Sequence, residues 1–141
     1  MLYMIILGKI GHAWSTWKEQ ASILIAECFR HRFVRIQFSA LILLNALIWL
    51  GAFFIYHSIS QKLTILHYNI DFGIDLIGDR QKIFTLPALS SIFLLADFSW
   101  LVMISRRPQF KFIAQVALGS LFFISWLFVL ALFSIYLANF K

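Results

Sequence analysis

The sequence predicts an all-α membrane protein: three transmembrane helices, an amphipathic amino-terminal helix ahead of them, and a short irregular or β-like external loop between the first two spans. Two observations carry this reading. Residues 36–57, 83–104 and 112–138 are uninterrupted apolar runs, each longer than the about 20 residues with which a helix crosses a roughly 30 Å hydrocarbon layer. Together they hold one formally charged side chain, Asp97. The chain as a whole is 62% hydrophobic and 13% charged, and its apolar residues lie in blocks instead of the stripes that a soluble core would need. Lipid is therefore the expected solvent for that surface.

The chain divides into a cytoplasmic amino-terminal segment, 1–35, and a transmembrane domain, 36–141, whose external loop is 58–82. Met1 to Leu7 are apolar, but too few for a signal-peptide core and preceded by no basic region, so no cleaved signal is expected. Thr16 and Glu19 have the spacing of a capping box, which satisfies free amides at a helix start. Trp17, Ala21, Leu24, Ile25 and Cys28 then form one apolar stripe, with Lys18, Glu19, Glu27 and Arg30 off it. Two placements fit: a helix lying in the inner interface with Trp14 and Trp17 at headgroup level, or an extension continuous with span one, since no Gly or Pro falls between Gly11 and Gly51. Cys28 is the single cysteine, which excludes an intrachain disulfide.

Lys and Arg set the orientation. Lys9, Lys18, Arg30, Arg32, Arg35, Arg106, Arg107 and Lys111 fall on one side, and Lys62, Arg80, Lys82 and Lys141 on the other. The positive-inside rule then places the amino terminus in the cytoplasm and the carboxyl terminus outside. The net charge of +6 points to anionic lipid headgroups and not to nucleic acid, because the cations flank the spans. Span two has Pro87 in its first turns, where a missing amide costs little, with Asp79 as a cap ahead of it. Pro108 enforces the reversal that makes spans two and three an antiparallel hairpin.

The loop carries the individuality of the chain. His67, Asn69 and Asp71 alternate with Leu66, Tyr68, Ile70 and Phe72, as in a strand with one polar and one apolar face. Gly73 and Gly78 punctuate it, and Asp75 and Asp79 read as turn or cap residues. His67-Tyr68-Asn69, then Gly73 and Asp75, then a span entered through Leu86-Pro87, resembles a small bacterial membrane domain of unknown function. That domain also forms the amino-terminal part of toxin-immunity proteins of the sporulation-delaying-protein type. The likeness covers roughly residues 60–90, with a different Gly to Asp spacing, and implies no reaction. The immunity proteins have further spans that this chain lacks, so immunity is not transferred. The His-Tyr-Asn and Phe-Gly-Ile-Asp pattern also resembles uncharacterised three-span proteins of candidate-phyla bacteria.

His67, Asn69, Asp71 and Asp75 do not reproduce a calcium loop, and one His is thin for zinc, so no metal or other cofactor is expected. No nucleophile with its base, phosphate-cradling loop or zinc motif appears, and no catalytic residue is assigned. Counting turns from the inner face brings Asn45, Asp97 and Ser120 to a similar depth, with Gly119 allowing close approach and Gln115 nearer the surface; these four form an expected intramembrane polar cluster. Asp97 there serves as interhelical glue. The leading expectation is a non-enzymatic protein of the bacterial plasma membrane that contacts a membrane or envelope protein, or a second copy, through His67, Tyr68, Asn69, Asp71, Phe72, Gly73 and Asp75. The runner-up is a subunit of an ion- or proton-coupled transport assembly centred on Asp97. A surface enzyme using His67 with Asp71 or Asp75 is the weakest alternative.

Overall fold

The computed structural model describes residues 16, 18–59, 63–69 and 73–140. Helix α1 covers residues 18–30, α2 is Arg32–Ser58, α3 is Thr85–Ile104 and α4 is Phe110–Phe140. Between α2 and α3 run strands β1 (Leu63–Asn69) and β2 (Gly73–Asp79), then a 3-10 turn, Arg80–Phe84. Helices α2, α3 and α4 touch one another pairwise and are long and apolar enough to cross a membrane.

Each long helix buries one narrow stripe. In α2 it is Val34, Leu41, Leu44, Ile48, Ala52 and Ile55, and in α4 it includes Phe110, Ala114, Leu118, Leu121 and Ser125, all at spacings near three, four or seven. The outward faces are just as apolar: Leu43, Leu50, Phe54, Leu95, Phe112, Phe123 and Leu130 are exposed. A helix that is apolar all round and only 22–28% buried over its most hydrophobic window has the surface expected of a membrane span. Spans one and three begin earlier than the apolar runs suggest, at Arg32 and Phe110, because the flanking Arg and Lys residues continue the helix.

Helix α1 is neither a continuation of α2 nor separate from the bundle. The chain breaks at His31, whose backbone is extended (φ −79°, ψ 117°) and whose carbonyl accepts the amides of Val34 and Arg35. Along one straight helix Phe29 and Phe38 would stand about 13 Å apart; their rings are 5.7 Å apart, and Phe29 also meets Phe98 at 5.9 Å. The fold-back buries Cys28 completely with Val34, Leu41, Leu101, Ile104 and Phe110. Burial pushes the Cys28 thiol above its ordinary titration range, which keeps it protonated and unreactive. Ala21 and Leu24 share the inward side, whereas Ile25 of the expected stripe is exposed. Trp14 and Trp17 lie outside the described residues, so the capping box at Thr16 is described only in part.

The loop is an antiparallel hairpin, paired from Leu63 with Asp79 to Asn69 with Gly73. Strict alternation does not hold across it. The register shifts on both sides of His67, leaving Leu66 and Asp75 without a cross-strand partner. Gly73 and Asp75, expected at turns, are strand residues; residues 70–72 lie outside the described residues. Asp79 makes no capping hydrogen bond, because the 3-10 turn separates it from the first free amides of α3. Pro87 sits buried in the first turn of α3 as expected, and residues 105–109 make the reversal into α4.

Glycine roles also differ from expectation. A Cβ on Gly119 would meet nothing within 4 Å, so that residue marks no close helix contact; on Gly51 it would sit 3.7 Å from Leu132 of α4. Gly78 is the crowded one, with Leu66 Cδ1 at 2.6 Å and Lys82 Cδ at 3.1 Å from such an atom. Leu66 in turn packs on the core formed by Ile48, Ala52, Ile55, Ile59, Ile83, Leu132 and Ile135. Gly78→Val should therefore cost about 1–3 kcal/mol through overpacking, while Gly119→Val should fall within about 0.5 kcal/mol of the parent. Thermal unfolding of the two variants in detergent checks the contrast; equal losses would contradict this account of the hairpin.

Candidate functional site

Two places bring polar chemistry together, the hairpin and the interior faces of the long helices. At 31 residues α4 is about 46 Å long, more than the hydrocarbon layer requires, and its last turns reach the hairpin. There Asn139 behaves like a short extra strand. Its Oδ1 accepts the Ile65 amide at 3.0 Å, and its Nδ2 donates to the Ile65 carbonyl at 2.8 Å and to the Ile135 carbonyl at 2.8 Å. Both edge groups of Ile65 are thus satisfied by one side chain, which holds β1 against α4 and blunts that edge.

A second fastening lies at the other foot of the hairpin. Arg80 donates to the Ile59 carbonyl at 3.3 Å and lies over the Tyr56 ring at 4.6 Å. Tyr56 also packs on Phe84, with ring centres 5.1 Å apart. The backbone of His67 is paired with Leu76, that of Tyr68 with Ile74, and that of Asn69 with Gly73. These residues, with Asp75, occupy the far half of the hairpin, beyond the fastening at Ile65; Asp71 and Phe72 lie outside the described residues. The sequence-based reading missed Asn139 by ending span three at Ala138. An amide amid Leu137, Ala138 and Phe140, within reach of a strand edge, was the available signal.

Among the long helices the expected polar cluster divides. Asn45 of α2 donates to Ser90 Oγ at 2.9 Å and has Ser91 Oγ 3.2 Å from its Oδ1. The Ser91 hydroxyl also lies 2.9 Å from the Pro87 carbonyl, so its single proton has two acceptors, while Trp49 Nε1 donates to its oxygen at 3.0 Å. This network joins α2 to α3 and excludes Asp97. Ser120 donates to Val116 of its own helix at 2.9 Å, and Gln115 is exposed. The depth count fails because α2 begins at Arg32, which sets Asn45 about 20 Å from that end, whereas Asp97 is about 10 Å from Ile104.

Asp97 therefore makes no interhelical hydrogen bond or ion pair among the described residues. It is half-buried, its Oδ2 is shielded from solvent, and it has no hydrogen-bond or ionic partner among the described residues. It lines a cleft of about 320 Å³ between α3 and α4, with Phe93, Trp100 and Ser120. A charged carboxylate at the middle of a span costs about 2.5–3.5 kcal/mol on insertion scales, so this position is expensive to keep.

Asn139→Ala should release β1, raising hydrogen exchange at the Ile65 amide by about tenfold or more with helix content unchanged. Protection unchanged at Ile65 would mean that the clamp contributes nothing. Between the helices, Asn45→Ala should lower stability by about 0.6–1.7 kcal/mol, whereas Asp97→Leu should not lower it. Unfolding in mixed micelles separates the two cases, and a loss at Asp97 equal to that at Asn45 would restore it as glue. Compared with protein-family models, with curated proteins and with solved structures, the chain has no match in any of the three.

Proposed function

We propose that this chain is a non-enzymatic integral membrane protein that works by contact with a membrane or envelope protein, using the far half of the β-hairpin as its recognition surface. The observation that supports this most is the Asn139 clamp on Ile65: the hairpin is fastened to α4 at one edge and to α2 through Arg80 at its foot. A preformed strand pair loses less conformational entropy on binding than a free loop of the same length. In the strand register His67, Tyr68, Asn69, Gly73 and Asp75 lie beyond Ile65, toward the turn that joins β1 to β2.

The proposed setting is a bacterial plasma membrane, amino terminus in the cytoplasm and hairpin outside. The asymmetry of Lys and Arg supports the orientation, and the resemblance of the His67-Tyr68-Asn69 region to a bacterial membrane domain supports the source. Arg30, Arg32, Arg35, Arg106, Arg107 and Lys111 gather at the opposite end from the hairpin, where anionic headgroups would meet them.

Cysteine placed at position 71 in a Cys28→Ala background should react with an impermeant maleimide in intact cells, and cysteine at position 107 should not; the opposite pattern would reverse the topology. A photo-crosslinking residue at position 68 should give one discrete adduct in living cells, and Asn139→Ala should reduce it. Adducts that are diffuse, or indifferent to Asn139, would remove the hairpin as the recognition element. An adduct twice the mass of the chain would make the partner a second copy.

A further inference from the structure

We propose that the cleft between α3 and α4 binds a hydrophobic organic cation, with its positive centre beside Asp97 and its apolar body against Phe93 and Trp100. Phe93, Asp97 and Trp100 follow one another at spacings of four and three, so they share one face of α3. Ala117, Ser120, Leu121 and Ile124 supply the opposite wall from α4, and the alanines at positions 96 and 117 leave the room. At about 320 Å³ the cleft is the size of a small-molecule site and too small for a bulky peptide segment.

The chemistry of the walls selects the ligand. Asp97 presents a carboxylate with no partner among the described residues, and the Ser120 proton is already committed to the Val116 carbonyl. Trp100 is 45% exposed and makes no ring contact with another aromatic side chain among the described residues, which leaves its face open to a cation. Phe93 extends the aromatic wall by stacking on Phe128 with ring centres 6.3 Å apart. An acid beside open aromatic faces, in an otherwise apolar cleft on the outside of the bundle, matches a monocation whose remaining surface is hydrophobic and which enters from the lipid.

A second copy of the chain fits this cleft less well. Within the described spans every Lys and Arg lies near a helix end, as Arg32, Arg35, Arg106, Arg107 and Lys111 do, so the described spans of another copy bring no cation to the level of Asp97. The proposal stands apart from the hairpin reading, because neither Asn139 nor any strand residue lines the cleft.

Equilibrium binding of tetraphenylphosphonium to the full chain in nanodiscs of zwitterionic lipid tests the site. Triphenylphosphine oxide serves as the neutral aromatic control and tetramethylammonium as the cation without an apolar body. Saturable binding of one tetraphenylphosphonium per chain is expected, with neither control competing at equal concentration. Asp97→Asn should weaken it about tenfold or more, Trp100→Ala by about threefold or more, and Asp97→Glu should retain it. Ala117→Phe, which fills the cleft without touching the acid, should abolish binding and keeps the test decisive if Asp97→Asn fails to fold. Tyr68→Ala should change nothing. Absence of saturable binding, equal affinity in the Ala117→Phe variant, or equal affinity for the neutral control would overturn the proposal. So would efficient disulfide formation between two copies carrying Ala117→Cys, which would show the cleft to be a dimer seam.

Discussion

Helices that are apolar on every side gain little by hiding one face in an apolar solvent, and this constraint governs the rest of the molecule. The helices α2, α3 and α4 bury narrow stripes of Leu, Ile, Val and Ala and leave comparable residues outside. Apolar contact alone then distinguishes poorly between one rotation of a helix and another. Directional groups make the distinction. The Asn45, Ser90, Ser91 and Trp49 network pins α2 against α3, because turning either helix would strand amide and hydroxyl groups without partners.

Helix α4 links the two ends of the bundle. Its first half, through Phe110, Ala114, Leu118 and Leu121, packs in the core that includes Cys28; its second half, through Leu132 and Ile135, packs in the core under the hairpin. Each end also has an element that crosses no apolar layer, α1 at one and the β-hairpin at the other. Neither is held by sequence-local pairing alone. Residues Phe29 and His31 lean on Phe38, Phe98 and Phe110, and Ile65 is claimed by Asn139, which is 74 residues away. A two-stranded ribbon is marginal by itself, so the fastening to α4 is what gives this one a fixed position.

The long helices were legible in the sequence because a run of 20 or more apolar residues has few other destinations. Their ends were less so, since Arg32, Arg35 and Lys111 look like the close of a span yet keep helical geometry. The strand character of the segment around Leu66 was legible in its alternation, but its register shifts were not, and neither was its clamp, which comes from Asn139, 74 residues away. The break at His31 was equally hidden, having no Gly or Pro to announce it, although it is what lets Cys28 reach the core. The candidate polar cluster was half legible: Asn45 does join two helices, but its partners are Ser90 and Ser91, ordinary residues that a search for charged or amide side chains passes over.

Asn45, Asn139 and Asp97 show the same constraint met in opposite ways. Each amide, with its paired donor and acceptor functions, is absorbed by groups of the chain itself, serines in one case and a strand edge in the other. A carboxylate only accepts, and donors near Asp97 are scarce. The serine across the cleft gives its proton to its own helix, and the nearest cations along α3, Arg106 and Arg107, are nine and ten residues on, about 14–15 Å along a helix and exposed. Rotating a helix to supply what is missing would break the bonds that fix the two flanking helices, those of Ser90 and Ser91 on α3 and of Asn139 on α4. Among the described residues nothing compensates Asp97, and the cleft at its side is where a proton or a cation could reach it.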